Sequence, residues 1–411
     1  MMKEVKNLLL IFAGMVAAGY LALVCVYALP TKPIQINVME AANILQMDGS
    51  HPELIYGHQD TMLDNLTDSI MMNVARFEKE DSIFQEALLN KRIMAHGLMD
   101  SELLAEEAAG KTAGDEAVSY GRYWHGYLLY LKPLLMVFNY GQIRYFIGMI
   151  QLSLFVSVVY LFVKKNKASH IIPFTAAYFF LNPASLSLSL QYFPASVLTM
   201  FQFIVLLLQE EKYREDHKRW IYHFFIVGCL ISYFDLLTYP LLTLGMPLTF
   251  LLVENRKSMK EGIVRFLESC MAWGAGYGMM WGSKWVLGSL LTKENIIQDA
   301  IGSVLFRVGA SDNEVKISSV QVIIKNIGAN KLCLLIVVLV FVAIIMHGIL
   351  KKRSMDFGKL NFAVLLCAIL PFIWYVVVSN HSYIHFWFTY RILAISIYAV
   401  LVFVIKMFEK Q

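Results

Sequence analysis

Three aspartates, Asp60, Asp64 and Asp68, follow one another at four-residue intervals, so a helix through them would carry all three carboxylates on one face. Like charges at that spacing destabilise a helix by roughly 0.2–0.5 kcal/mol per pair. A bound cation, or a proton-abstracting role for Asp64 or Asp68, would offset the cost; so would helix capping by Asp60 or Thr61 with Asp64 in the first turn. Asp235 interrupts the apolar run Ile221 to Leu237, just before Thr238-Tyr239-Pro240, where an ionisable group is costly unless paired or wetted. Lys284, within Trp281-Gly282-Ser283-Lys284-Trp285, sits in a comparable setting and could pair with Asp235, hold a phosphate, or anchor the chain at a membrane surface.

Two further groups could bind anions. Arg122, His125 and Lys132 lie in the aromatic stretch Ser119 to Tyr140, where a lipid phosphate or a snorkelling anchor would use the same side chains. Asn380, His381 and His385 precede Arg391, which stands in an apolar run far from the basic loops. An anion ligand is the economical reading of such an arginine, against a buried pair with Asp235 or the Asn182 turn. Two histidines four apart make only a weak metal signal, since no HExxH and no third ligand accompany them. The sequence demands no cofactor; a divalent cation is the candidate that the acidic residues allow. No Walker-type phosphate loop, dinucleotide fingerprint or GxSxG elbow occurs, and no nucleic-acid partner is expected.

The elements that must position these residues are transmembrane helices. The chain has 411 residues, 58% hydrophobic and 16% charged, more apolar surface than a soluble domain encloses. Apolar runs recur at the length that crosses about 30 Å of hydrocarbon, and in lipid an unpaired backbone amide costs several kcal/mol, so helix is required. Ten spans are expected, at about 8–29, 143–163, 171–188, 194–209, 221–237, 239–253, 263–285, 331–350, 361–379 and 385–405. The first follows Lys3 and Lys6 and is too long for a signal-peptide core, so it reads as an uncleaved span.

Short basic loops follow the even-numbered spans: Lys164, Lys165 and Lys167; Lys212, Arg214, Lys218 and Arg219; Arg256, Lys257, Lys260 and Arg265; Lys351, Lys352 and Arg353. By the positive-inside rule these loops and both termini are cytoplasmic in a multi-pass protein of the cell membrane. Segment 30–142, with sixteen acidic against eight basic residues, then lies outside as a helical loop between the first two spans. Its part from Thr61 to Ala109 has helical apolar spacing, and the aromatic stretch after it reads as an interfacial helix broken by Pro133. A second external loop, 286–330, is long enough for an amphipathic helix. All five cysteines fall inside the expected spans, which leaves no external disulfide framework. The whole chain, 1–411, reads as one all-α integral membrane domain, with its polar residues gathered at one face.

This layout resembles the GT-C class of integral membrane glycosyltransferases, in particular bacterial members associated with surface polysaccharide. The residues that carry the likeness are DNLTDS with Asp64 and Asp68, GRYWHGYLLYLKPLL with Arg122 and His125, YFDLLTYP with Asp235, and NHSYIHFWFTYR with His381, His385 and Arg391. The resemblance implies a polyprenyl-phosphate sugar donor, a glycan acceptor outside the membrane, an acidic base and basic residues on the donor phosphate. The first loop lacks the Asp-x-Asp of metal-dependent members. Alternatives are a polysaccharide polymerase or ligase, which favours large loops late in the chain, and a transporter or assembly protein, which needs a polar path across the bilayer.

Overall fold

The computed structural model describes residues 2–409 except 79, 81, 112, 113, 115, 256, 257, 311–316 and 354–360; Arg256 and Lys257 of the third basic loop thus lie outside the described residues. Helix α1 (Met2–Tyr27) is followed by α2 (Thr31–Asp48), α3 (Asn65–Arg76), α4 (Ile83–Leu89), α5 (Asp100–Ala108) and α6 (Leu128–Leu135). Strands β1 (Arg92–Met94) and β2 (Glu116–Val118) pair antiparallel, Ile93 opposite Ala117. Then come α7 (Tyr140–Lys164), α8 (Ile171–Phe180), α9 (Pro183–Leu188), α10 (Phe193–Leu208), α11 (Glu210–Glu215), α12 (Lys218–Phe234) and α13 (Leu242–Glu254). The chain ends with α14 (Met259–Leu291), α15 (Ile296–Arg307), α16 (Ser319–Ala329), α17 (Lys331–Leu350), α18 (Ala363–Val377), α19 (Ser379–Ile384), α20 (Phe386–Thr389) and α21 (Ala394–Met407).

Five helices among the described residues are long and apolar enough to cross a membrane: Lys3–Tyr27, Tyr140–Lys164, Leu190–Leu208, Lys331–Leu350 and Phe386–Met407. Leu242–Glu254 and Ala363–Val377 are apolar but shorter. The expected span 171–188 is broken where Asn182 takes a left-handed conformation and caps α9 through its own Oδ1. The expected span 263–285 is the middle of a 33-residue helix.

Two glycines set the closest packing in the bundle. A Cβ on Gly228 of α12 would meet the Trp273 carbonyl oxygen at 2.2 Å, and one on Gly276 of α14 would meet the Phe225 carbonyl oxygen at 2.1 Å. Backbone therefore lies on backbone, a contact that small residues permit and larger ones block. On α13, Leu242 to Val253 are all buried, so this helix lies inside the bundle.

Segment 30–142 folds onto one end of that bundle as short helices, with the strand pair inserted, a feature that no alternation in the sequence announced. The aromatic stretch departs from the interfacial helix expected there. His125 takes φ 55°, Gly126 N donates to Tyr233 O, and only eight residues from Leu128 are helical. Leu128, Leu131, Lys132 and Leu135 of α6 are fully buried, so it is a core helix, with Lys132 Nζ donating to Ala75 O. The second loop expected at 286–330 holds α15 and α16.

Candidate functional site

The three spaced aspartates do not share a helix face. Asp60 belongs to a one-turn helix at Gln59–Thr61, Asp64 is the N-cap of α3 and accepts from Thr67 N at 2.9 Å, and Asp68 lies in the first turn. The N-cap starts the helix and the first-turn carboxylate faces its positive end, which removes the like-charge cost raised by the spacing. Asp68 is fully buried and held on every side, accepting from Tyr140 Oη at 2.6 Å, Leu190 N at 3.0 Å and Gln191 N at 3.3 Å. Arg144 binds the same Tyr140 hydroxyl and Asn65 Oδ1. Burial pushes the Asp68 carboxyl up to about 6, with Arg144 opposing. Asp64 is raised by burial too, and Gln191 Nε2 donates to it. It also faces a half-buried imidazole, His51 Nε2, at 3.7 Å.

His51 links this acidic pair to the distant histidines. Its ring lies 4.8 Å from Trp387, which stands 5.2 Å from His385, itself 4.7 Å from His381. His381 Nε2 is hydrogen-bonded to Leu237 O at 2.8 Å, at the turn where Asp235 ends α12. Asp235 caps that turn, accepting from Thr238 N and Thr238 Oγ1. The hydroxyl of Tyr130, on α6, lies within electrostatic reach of both Asp68 and Asp235.

Arg391 adjoins this chain of contacts through Trp387. It is fully buried, and its guanidinium donates to Leu181 O, Trp387 O, Asp60 O and Ser185 Oγ while covering the Tyr192 ring at 4.3 Å. Among the described residues no carboxylate lies within 4.0 Å of it, so the positive charge is solvated by dipoles and left without a counter-ion. Arg307, the one arginine between 286 and 330, is partly buried and likewise has no carboxylate within 4.0 Å among the described residues. It donates to Ser303 O and Tyr123 Oη, stands between Phe306 and Val308, whose carbonyls accept from Asn380 and Ser379, and keeps a buried Nε with no hydrogen-bond partner among the described residues. The same holds for His385 Nδ1 and Trp387 Nε1. Buried polar groups are normally satisfied, and three unpartnered nitrogens in one locus are what a polar ligand would engage.

Four other candidates are tied elsewhere. Arg122 Nη1 reaches both carboxylate oxygens of Asp299 at 3.1 Å, joining the aromatic stretch to α15. His125 is buried with one ring nitrogen on Tyr127 Oη and the other on Tyr120 O; burial, with Lys284 nearby, pushes its imidazole down to about 3, so it stays neutral. Lys284 is fully buried and donates to Ala87 O and Asn90 Oδ1, holding the end of α4 rather than Asp235. Asn380 Nδ2 donates to Phe306 O and fixes α19 against α15. Sequence reasoning missed His51, Gln191 and Arg307. Arg307 alone carried a signal, as a lone guanidinium at the end of an amphipathic run.

No group of three or more His, Cys, Asp or Glu side chains that could hold a metal ion occurs among the described residues. Polar groups are not confined to one face. At the far end of α21, about 22 Å of helical rise from Arg391, Glu254 accepts from Lys167, faces Lys406 at 3.3 Å and is hydrogen-bonded to His170. Comparison with known proteins finds no matching family model, no matching curated protein and no matching solved structure.

Proposed function

We propose that the protein is a membrane glycosyltransferase of the GT-C kind, moving a sugar from a polyprenyl-phosphate donor to a glycan acceptor outside the cell membrane. The observation that carries this reading is the chain of contacts from Asp64 through His51 and Trp387 to His385 and Arg391, from segments far apart, with Arg307 held nearby where Asn380 and Ser379 donate to the Phe306 and Val308 carbonyls. In this reading the chain crosses the bilayer ten times, α8 with α9 forming one broken crossing, and both termini face the cytoplasm. Segment 30–142 and α15–α16 then cover the outer surface, with the donor entering from the outer leaflet.

Asp64, through His51, takes the proton of the acceptor hydroxyl as its oxygen attacks the anomeric carbon; the bond from that carbon to the phosphate oxygen breaks and its electron pair leaves with the phosphate. Arg307 Nε is the direct ligand for that phosphate. Arg391, with four donors already engaged, supplies a fixed positive charge behind it. Asp68 and Asp235 hold the loops in place, and a divalent cation is not required by this scheme. Asp64→Asn in membranes supplied with polyprenyl-phosphate sugar is expected to lower transfer by about 10²-fold or more, the usual scale of losing a general base. Wild-type transfer by Asp64→Asn would remove the carboxylate from the chemistry.

A further inference from the structure

Helix α17 is apolar along its length, yet only Val337 and Gly348 of it are buried. It is fastened near its two ends. Asn330 Nδ2 donates to Phe180 O at 3.2 Å, and Gly348 lies so near the Phe408 ring that a Cβ there would meet it at 2.5 Å. Alongside it a cavity of about 690 Å³ opens between α17, α8 and α21. Ile172 and Ile344 wall its apolar part, and toward Lys351 and Lys352 the lining turns polar with Ser169, His347 and Arg353. Arg353 Nη1 donates to Phe408 O at 3.3 Å while its buried Nε has no hydrogen-bond partner among the described residues. Ser169 is 8% exposed and its Oγ is likewise unpartnered. Glu409 borders the same end, and Lys406 neutralises it at 2.9 Å.

We propose that this cavity binds a phospholipid with an anionic headgroup, its acyl chain lying between α17 and α8 and its phosphate on Arg353 Nε and Ser169 Oγ. The volume falls within the about 300–1,000 Å³ of small-molecule sites. Basic pockets between membrane helices at the end that carries the short basic loops attract anionic lipid headgroups. Lys351, Lys352 and Arg353 supply that charge here. The site is independent of the transferase reading and lies at the opposite end of α21 from Arg391. The test is native mass spectrometry of the full chain, purified from phosphatidylcholine vesicles with and without phosphatidylglycerol. Phosphatidylglycerol should be retained in preference, Arg353→Gln should reduce its retention about tenfold or more, and inorganic phosphate should not displace it. Ile344→Trp, which fills the chain channel and leaves Arg353 in place, should reduce retention of both lipids. Equal retention of the two lipids, unchanged retention in either variant, or displacement by inorganic phosphate would overturn the assignment.

Discussion

Asp64 and Asp68 stand one helical turn apart in different surroundings. Asp68 is enclosed by a tyrosine, two backbone amides and a nearby guanidinium, whereas Asp64 has one flank turned to a half-buried histidine. A buried carboxylate that must exchange a proton with a substrate needs such a partly exposed neighbour, which is why Asp64 is the proposed base. His125 shows the opposite design. Its imidazole is buried and pushed down to about 3, against about 6.5 in an unfolded chain. The unfolded state therefore binds more protons between those values, so the His125 contribution to stability is complete above about pH 6.5 and is lost as pH falls toward 3. Thermal unfolding in detergent should show an acid limb in that window that His125→Gln flattens; an unchanged limb would mean that other groups dominate it. Asp235 and Arg391 were legible in the sequence because ionisable groups amid apolar runs demand a reason, and Asp64 and Asp68 because of their four-residue spacing. His51 was not, since it sits in an irregular stretch and its partners are remote in the chain.

At the level of elements, the pairing of α12 with α14 depends on two glycines whose missing side chains let backbones touch. Gly276→Val should destabilise the protein by about 1–3 kcal/mol or more, because the Phe225 carbonyl cannot retreat without moving α12. Gly278, where an added Cβ meets nothing within 4 Å, provides the control, and Gly278→Ala should unfold at the wild-type temperature. Equal unfolding temperatures for both variants would show that the helices separate freely. Apolar length found α12 and α14 as helices, though neither is among the five long and apolar enough to cross a membrane. It placed helix ends badly at α14, which runs on to Leu291, and at α8, which ends before the left-handed Asn182, whose side chain caps the next helix. The helix at 128–135 was misplaced for a related reason: aromatic residues signal a membrane interface and a protein core alike, and only tertiary packing separates the two.

Taken as a whole, the molecule has two polar ends joined by an apolar bundle, one around Asp64 and Arg391, the other around Glu254. The proposed topology puts the first outside the cell and the second within. With the five native cysteines replaced, Tyr56→Cys, at a position 98% exposed, should react with an impermeant maleimide on intact cells. Lys352→Cys should react only after permeabilisation. Labelling of both on intact cells, or of neither, would refute the assigned sidedness.

Arg391 follows the groups it grips by 206 to 331 residues: the Asp60 carbonyl, the Leu181 carbonyl, the Ser185 hydroxyl. Ribosomal synthesis thus delivers this clasp after the groups that it fastens. The Asn182 side-chain amide already donates to Asp60 at 3.0 Å, so Arg391 adds a second tie between segments that meet without it. Chains cut short before Arg391 lack that second tie, however many of their earlier helices have already packed.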